Sequence, residues 1–223
     1  MIIKASLRGL HKPAATPEDV KEAALDIDHE VARLNRIVGD VLDFARPPRL
    51  DIQPTDLHAL CRDAAAAGLA GEAGQLLKLE LGFAGETLLT DAERLRTALV
   101  NVLGNAREAV AAKRSAAQAA PGAAVETRNG FDIELSTGPG KNGGAWVRVR
   151  DHGVGIAAVD LPHVFEPYFT TKRTGTGLGL AIARNIVLSL GGHIEVTSAA
   201  EEGTEVAIEL PSAAPGAPAG EGP

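Results

Sequence analysis

Asp151-His152-Gly153-Val154-Gly155-Ile156 follows directly on Ala145–Arg150, a run that alternates as a half-buried strand does. A carboxylate at a strand end accepts a hydrogen bond from a purine amino group, and the two glycines let a ring approach the backbone. An ordinary glycine turn after a strand has the same sequence, so the hexapeptide alone leaves both readings open. Further on, Gly175-Thr176-Gly177-Leu178-Gly179-Leu180 opens a helix predicted over about 178–190. Glycines running into a helix N-terminus leave free amide donors at the positive end of the dipole, which suits a phosphate. The likeness to the dinucleotide-binding fingerprint is superficial, because no strand immediately precedes the glycines.

Upstream, a helix predicted over about 91–112 carries Asn101, Asn105 and Glu108 at i, i+4 and i+7. At 100° per residue they fall within an arc of about 60°. The other face of that helix (Leu95, Leu99, Val102, Leu103, Ala106, Val110) is apolar, so the polar stripe faces solvent or lines a cleft. Asn is a mediocre helix former, and two of them one turn apart point to a task for the side-chain carbonyls. Mg²⁺ takes hard oxygen ligands and keeps waters and substrate phosphates as the others, a chemistry that suits this stripe. Between the glycine segments, Phe165-Glu166-Pro167-Tyr168-Phe169-Thr170-Thr171-Lys172 holds three of the chain's aromatics. They read as a lid or docking edge, or as pins that hold the loop to the core.

The 223 residues are 45% hydrophobic and 23% charged, near the globular averages, which excludes fibrous and wholly disordered classes. That length holds one domain plus an appendage, or two small domains. With aromatics at only 3%, the core must be built from Ala, Val, Leu and Ile. A net charge of −7 disfavours a nucleic-acid backbone as the main partner. The single Cys61 excludes an intramolecular disulfide and a Cys-rich metal site, and suits a reducing cytosol. No apolar run approaches the ~18 residues of a membrane span, and Met1-Ile2-Ile3-Lys4 is too short for a signal peptide. The segment is therefore expected to be soluble and cytoplasmic, without membrane contact.

Thr16-Pro17-Glu18-Asp19 is a helix start: an N-cap, a proline for the first position and two acids for the dipole. From Val20 through Ala24, Ile27, Val31, Leu34, Val38 and Val41 to Ala45 runs a heptad seam, which predicts packing against other long helices. Arg46-Pro47-Pro48 ends it, and 47–55 read as a stiff linker. The remaining expectations are a helix at 56–68, strands at Leu77–Phe83 and Thr87–Thr90, the stripe-bearing helix, and a loop at 113–130. Strands Phe131–Ser136 and Ala145–Arg150 follow, then the loop 151–177, the helix 178–190, and two closing strands around Ile194/Val196 and Thr204–Leu210. The Pro/Gly/Ala-rich tail 212–223 is expected to be disordered. The order predicts an α/β domain: a two-layer sandwich, a mixed sheet with helices on one face, over 54–211.

Taken in order, these segments resemble the sensor histidine kinases, and more widely the ATPase superfamily they share with gyrase and the heat-shock chaperones. Asn101-Val102-Leu103-Gly104-Asn105-Ala106 looks like the family's N box, Asp151-x-Gly153-x-Gly155 its G1 box, Phe165-Glu166-Pro167 its F box and Gly175–Leu180 its G2 box. Gly191-Gly192-His193-Ile194 and Glu202-Gly203-Thr204 match its C-terminal strands. The resemblance implies a Bergerat-type fold that binds ATP with Mg²⁺. Asp151 would bind the adenine amino group with Gly153, Gly155, Ile156 and Thr204 around it, and Asn105 would ligate Mg²⁺. Gly175, Thr176, Gly177, Leu178, Gly179 and Leu180 would cradle the phosphates, with Lys172 and Thr174 beside them. The short lid, Phe165 to Thr174, looks like that of the nitrogen-regulatory kinases. Hydrolytic branches place a Glu, as base for water, one turn before the Mg²⁺ Asn; here Asn101 stands there and cannot take a proton, which favours transfer to a protein. Asn101, Glu108 and Lys172 are the catalytic candidates, and Glu108 stays open as base, orienting group or structural partner.

Residues 1–48 resemble part of the dimerisation and phosphoacceptor domain, a helical hairpin stem. Ala5–Gly9 looks like the stretch just after the H box, and Arg33–Ile37 with Leu42–Pro47 like the second helix and its exit. The His-Glu-x-x-Asn-Pro sequence expected before Ala5 is missing, because the chain begins at Met1. Among six histidines only His29-Glu30 imitates it, without the Asn/Thr or the Pro, and it reads as a solvated helix residue. The implied activity is a protein-histidine kinase that does not label itself in this form. Implied partners are a response regulator, a phosphoacceptor helix of its own or a sister kinase, and a second copy through residues 18–46. A nucleotide-gated interaction module without chemistry is the competing reading, and a gyrase- or chaperone-like ATPase is disfavoured by Asn101.

Overall fold

The computed structural model describes residues 16–45, 50–70, 77–82, 87–119, 131–172 and 175–217. The chain divides into two compact units, Met1–Arg46 and Pro47–Pro223. In the first, helix α1 (Pro17–Ala45) begins where the Thr-Pro-Glu start predicts. Along its seam Val20, Val31 and Leu34 are exposed, as is Leu25 beside it. The first arm of the expected hairpin lies outside the described residues.

The second unit carries β1 (Gln53–Asp56), α2 (Leu57–Gly68), β2 (Leu77–Leu81), β3 (Thr87–Thr90) and α3 (Ala92–Ala119). It continues with β4 (Ile133–Pro139), β5 (Ala145–Asp151), α4 (Gly179–Ser189), β6 (His193–Ala199) and β7 (Gly203–Leu210). Five strands form a mixed sheet in the order β2-β4-β5-β7-β6, in which only the β2–β4 pair is parallel. Along β5, Val147 and Val149 are buried while Arg148 and Arg150 are exposed. The buried face meets Leu95, Leu99, Leu103, Ile182 and Val187 of α3 and α4, which join one core with Ile133, Leu135 and Ile208. Leu99 is fully buried; its truncation to Ala would cost about 2–5 kcal/mol. The expected two-layer α/β sandwich is the observed one.

Several boundaries differ from the expectations, each for a local reason. Part of the 47–55 linker is strand: β1 pairs antiparallel with β3, a short two-stranded ribbon in which Pro54 is tolerated because it has few ladder bonds to lose. Helix α3 runs seven residues past 112, because Ala116, Ala117 and Ala119 favour helix and no breaker comes before Pro121-Gly122. Residues 120–130 and Phe83 lie outside the described set. The start of the tail is ordered, contrary to expectation: Leu89 donates to Ser212 O at 3.0 Å, Ala214 donates back to Leu89 O at 2.7 Å, and Ala214 is buried. An open strand edge and a small apolar residue together fix it. At the start of α3, Asp91 Oδ1 accepts from Arg94 N–H at 3.0 Å as an N-cap, while Oδ2 takes the Asp51 amide at 3.0 Å.

Candidate functional site

Asn101, Asn105 and Glu108 share one face of α3, all half-buried. Asn101 Nδ2 donates to Thr97 O at 3.0 Å, which turns its Oδ1 away from the helix. That oxygen lies 3.0 Å, and Asn105 Nδ2 3.6 Å, from where a Cβ would stand on Gly179, the first residue of α4. The N-terminus of α4, whose first-turn amides have no helical carbonyl ahead of them, thus abuts the stripe. Lys172 Nζ donates to Asn105 Oδ1 at 3.2 Å and pairs with Glu108 Oε2 at 2.7 Å. Asn105, expected at the metal, Lys172, expected beside the phosphates, and the catalytic candidate Glu108 therefore form one cluster. No group of three His, Cys, Asp or Glu among the described residues is placed to hold a metal. Asn105 Oδ1 and the Glu108 carboxylate are nonetheless hard oxygens, and they fit Mg²⁺ completed by phosphates and waters.

Asp151 closes β5 and is buried. Burial pushes its carboxyl up to about 6, against the Gly153 and Thr204 amides that favour the charged form. Gly153 N–H reaches Asp151 Oδ1 at 2.9 Å, and Thr204 stands opposite Asp151 in the β5–β7 register. Gly155 has φ +67°, and a Cβ there would collide with Ala199 O, so only glycine fits the turn. The loop is braced on both sides: Val154 N–H to Ala109 O at 3.3 Å, Lys113 Nζ to Gly153 O at 3.2 Å and to Glu201 O at 2.8 Å, Ile156 N–H to Ser198 Oγ at 2.8 Å. A carboxylate held at a strand end against the backbone of a glycine loop can accept from a flat donor and reject an opposing acceptor.

In the third segment Gly177, at φ +69°, gives its carbonyl to Tyr168 N–H at 3.0 Å. Gly175 and Thr176 are half-buried beside it, and Thr174 lies outside the described residues. Leu178 packs inward from this loop. Its side chain is 1% exposed in the core, its N–H goes to Thr176 Oγ1 at 3.2 Å and its carbonyl accepts from Ile182 at 2.8 Å. It anchors the loop to the core. Leu180 is half-buried and packs against the core. The aromatics divide between the two readings: Phe165 packs on the core with Arg184 over its ring at 5.4 Å, whereas Tyr168 is 67% exposed.

Lys113 and Ser198 escaped the sequence reading. Lys113 fell in the stretch read as loop, and Ser198 is one polar residue in an alternating strand; only contacts across the sheet mark it. The His29 side chain lies outside the described set.

Residues 90–214 match the family model for histidine kinase-, DNA gyrase B- and HSP90-like ATPase. The chain is 31% identical over 215 residues to sensor histidine kinase ZraS of Escherichia coli strain K12, covering 93% of this chain and 42% of that protein. It is 30% identical over 195 residues to sensor protein FixL of Bradyrhizobium diazoefficiens, covering 86% and 36%. Among solved structures, full-length ShkA in complex with AMPPNP superposes with a TM-score of 0.69 at 26% identity, covering 96% of this chain and 42% of that one. The chain thus spans about two fifths of the length of these curated relatives.

Proposed function

The chain belongs to the histidine kinase-, DNA gyrase B- and HSP90-like ATPase family as a sensor histidine kinase ATPase domain, and from that premise we propose the following reaction. Residues 54–211, extended by the ordered start of the tail, bind ATP with Mg²⁺ and transfer its γ-phosphoryl group to a histidine on a partner helix. The observation that carries this reading is Gly179 lying against Asn101 and Asn105: a helix N-terminus suited to phosphate abuts the side chains that would position it and its metal.

Asp151 would accept the adenine amino group, with Gly153, Gly155, Ile156 and Thr204 around the ring. Gly175, Gly177 and Gly179 would offer amides to the phosphates, Thr176 and Thr174 would flank them, and Lys172 would meet the terminal one. Asn105 would hold Mg²⁺, which when bound would supply neutralisation of the phosphate charge. The bond from the γ-phosphorus to its bridging oxygen breaks, a phosphorus–nitrogen bond forms to the imidazole, and ADP leaves. The imidazole proton passes to a base; Glu108 is the nearest acid to Lys172, and Asn101 cannot take it. Positioning and electrostatics carry the rate.

The partners in this reading are a response regulator, which takes the phosphoryl group, and a second copy joined through residues 18–46. The reading places this segment in the cytoplasm, without a nucleic acid or a membrane as partner. The exposed α1 seam favours a second reading, a nucleotide-gated interaction module. Incubation with γ-³²P-ATP, alone and with a separate protein carrying a complete His-Glu-x-x-Asn-Pro helix, separates the two. Acid-labile, base-stable label on the added protein alone is expected, slowly, because no tether raises its effective concentration. Self-labelling abolished by His29→Ala would make α1 the acceptor. No label on either protein, with ATP bound, would favour the module.

A further inference from the structure

Ser198, in β6, joins three elements around Asp151. Its Oγ accepts from Ile156 N–H at 2.8 Å, lies 2.8 Å from Gly203 O, and lies 2.9 Å from Thr204 Oγ1. A serine hydroxyl has one proton and two lone pairs. The Gly203 carbonyl can only accept, so the Ser198 proton goes there. Ile156 takes one lone pair. The other faces Thr204, whose hydroxyl must then be the donor. With its proton committed to Ser198, Thr204 Oγ1 has only lone pairs to offer on its remaining sides.

Thr204 stands opposite Asp151 in the β5–β7 pairing and gives it a backbone amide. The frame around this pair is fixed independently, by Glu201 N–H to Val154 O at 2.7 Å and by the Lys113 bridge from Gly153 O to Glu201 O. Ser198 therefore sets a proton direction inside a braced pocket.

We propose that Ser198 is a specificity-determining positioning residue: by fixing the Thr204 proton it makes the edge formed by Asp151 and Thr204 acceptor-only. Such an edge takes the amino group of adenine and opposes the carbonyl of guanine. Without Ser198 the Thr204 hydroxyl is free to turn and donate to a keto purine. The inference rests on the reading of Asp151 as the purine-reading group.

The test is calorimetric titration of the full chain with ATP and with GTP, each with Mg²⁺. The unaltered chain should prefer ATP at least about tenfold; no binding of either would sink the nucleotide reading itself, equal affinity would sink the purine-reading role of Asp151, and this inference falls with either. Given that preference, Ser198→Ala should cut the ATP-to-GTP ratio about tenfold, on the scale of one mispaired buried group. Ser198→Thr, which keeps a hydroxyl there, should restore it. In a Thr204→Val background, Ser198→Ala should change the ratio no further, because the two act through one hydroxyl. An equal loss for both nucleotides in Ser198→Ala, or the same tenfold change in the Thr204→Val background, would overturn the proposal and leave the nucleotide reading standing. Should Ser198→Ala fail to fold by circular dichroism, Ser198→Cys takes its place in the same two backgrounds, and the same outcomes support or overturn the proposal.

Discussion

The Lys172 ammonium lies 2.7 Å from the Glu108 carboxylate and so ties the loop after β5 to the polar face of α3. Both side chains are more than a third exposed, 37% and 41%, so the pair contributes at most about 1 kcal/mol and is screened by salt. Its value is positional. Lys172→Met should shift the thermal midpoint by no more than about 3 °C, yet weaken ATP about tenfold and ADP much less. A melting curve with ATP and ADP titrations checks it; equal losses for the two nucleotides would detach Lys172 from the terminal phosphate.

Asn105 should matter through the metal. Its Oδ1 is held by Lys172 at 3.2 Å while its Nδ2 faces the start of α4, and no cluster of three acids or histidines among the described residues offers another site. Asn105→Ala should therefore weaken Mg·ATP strongly and metal-free ATP little. Calorimetry with Mg²⁺ and with a chelator reads both, and matching losses would refute the assignment.

Asp151 trades stability for binding. Its carboxyl is raised from 3.8 to about 6 by burial, so the folded state holds the proton more tightly than the unfolded one. The sign follows: stability from this group is full below about pH 4 and is lost as pH rises through about 6, costing about 3 kcal/mol at neutral pH. Asp151→Asn should then stabilise the fold by about 1–3 kcal/mol at pH 7.5 and change nothing at pH 4, while losing ATP selectivity. Urea melts at the two pH values test this. A larger gain over the unaltered chain at pH 4 than at pH 7.5 would contradict it.

The glycine loops were legible because each sits at an element boundary: Asp151 with Gly153 and Gly155 after an alternating strand, Gly175 to Gly179 before a helix. The Asn101–Asn105–Glu108 stripe was legible from helical spacing alone. What bound the site together was not. Lys172 meets Glu108 across 64 residues, and Ser198 meets Ile156 across 42; such pairings depend on sheet order, which no local pattern encodes. That the Leu178 side chain fills the core is a matter of packing, which its place in the glycine run does not show. Pro54 and the tail at Ala214 were misread because proline and small residues signal loops, yet a strand edge captured both segments.

Cys61 is fully buried, and burial pushes its thiol up to about 12. Only the thiolate reacts with a disulfide reagent, so the native chain at pH 8 should be inert and the unfolded chain should react at once. Absorbance after addition of such a reagent, with and without urea, follows it. Prompt native reaction would show that the α2–α3 contact opens readily.

The seam of α1 sets the last expectation. Val20, Val31 and Leu34 are 50%, 43% and 45% exposed on a 29-residue helix, although their heptad spacing is that of a buried interface. Apolar side chains in that register gain by pairing with an equivalent helix, and a second copy supplies one with matching spacing. The full chain should sediment as a dimer at about 50 µM, since burying such side chains contributes on the order of 1.5–3 kcal/mol each. Val31→Asp with Leu34→Asp should yield a monomer, because charges in a seam lose more by desolvation than the remaining contacts return. That monomer should bind ATP as the unaltered chain does, since the core around Leu99 and Ile208 lies wholly in the second unit. Sedimentation equilibrium and calorimetry on the same samples decide the matter. A monomeric unaltered chain, or a double variant that still dimerises, would place the dimer contact elsewhere or remove it.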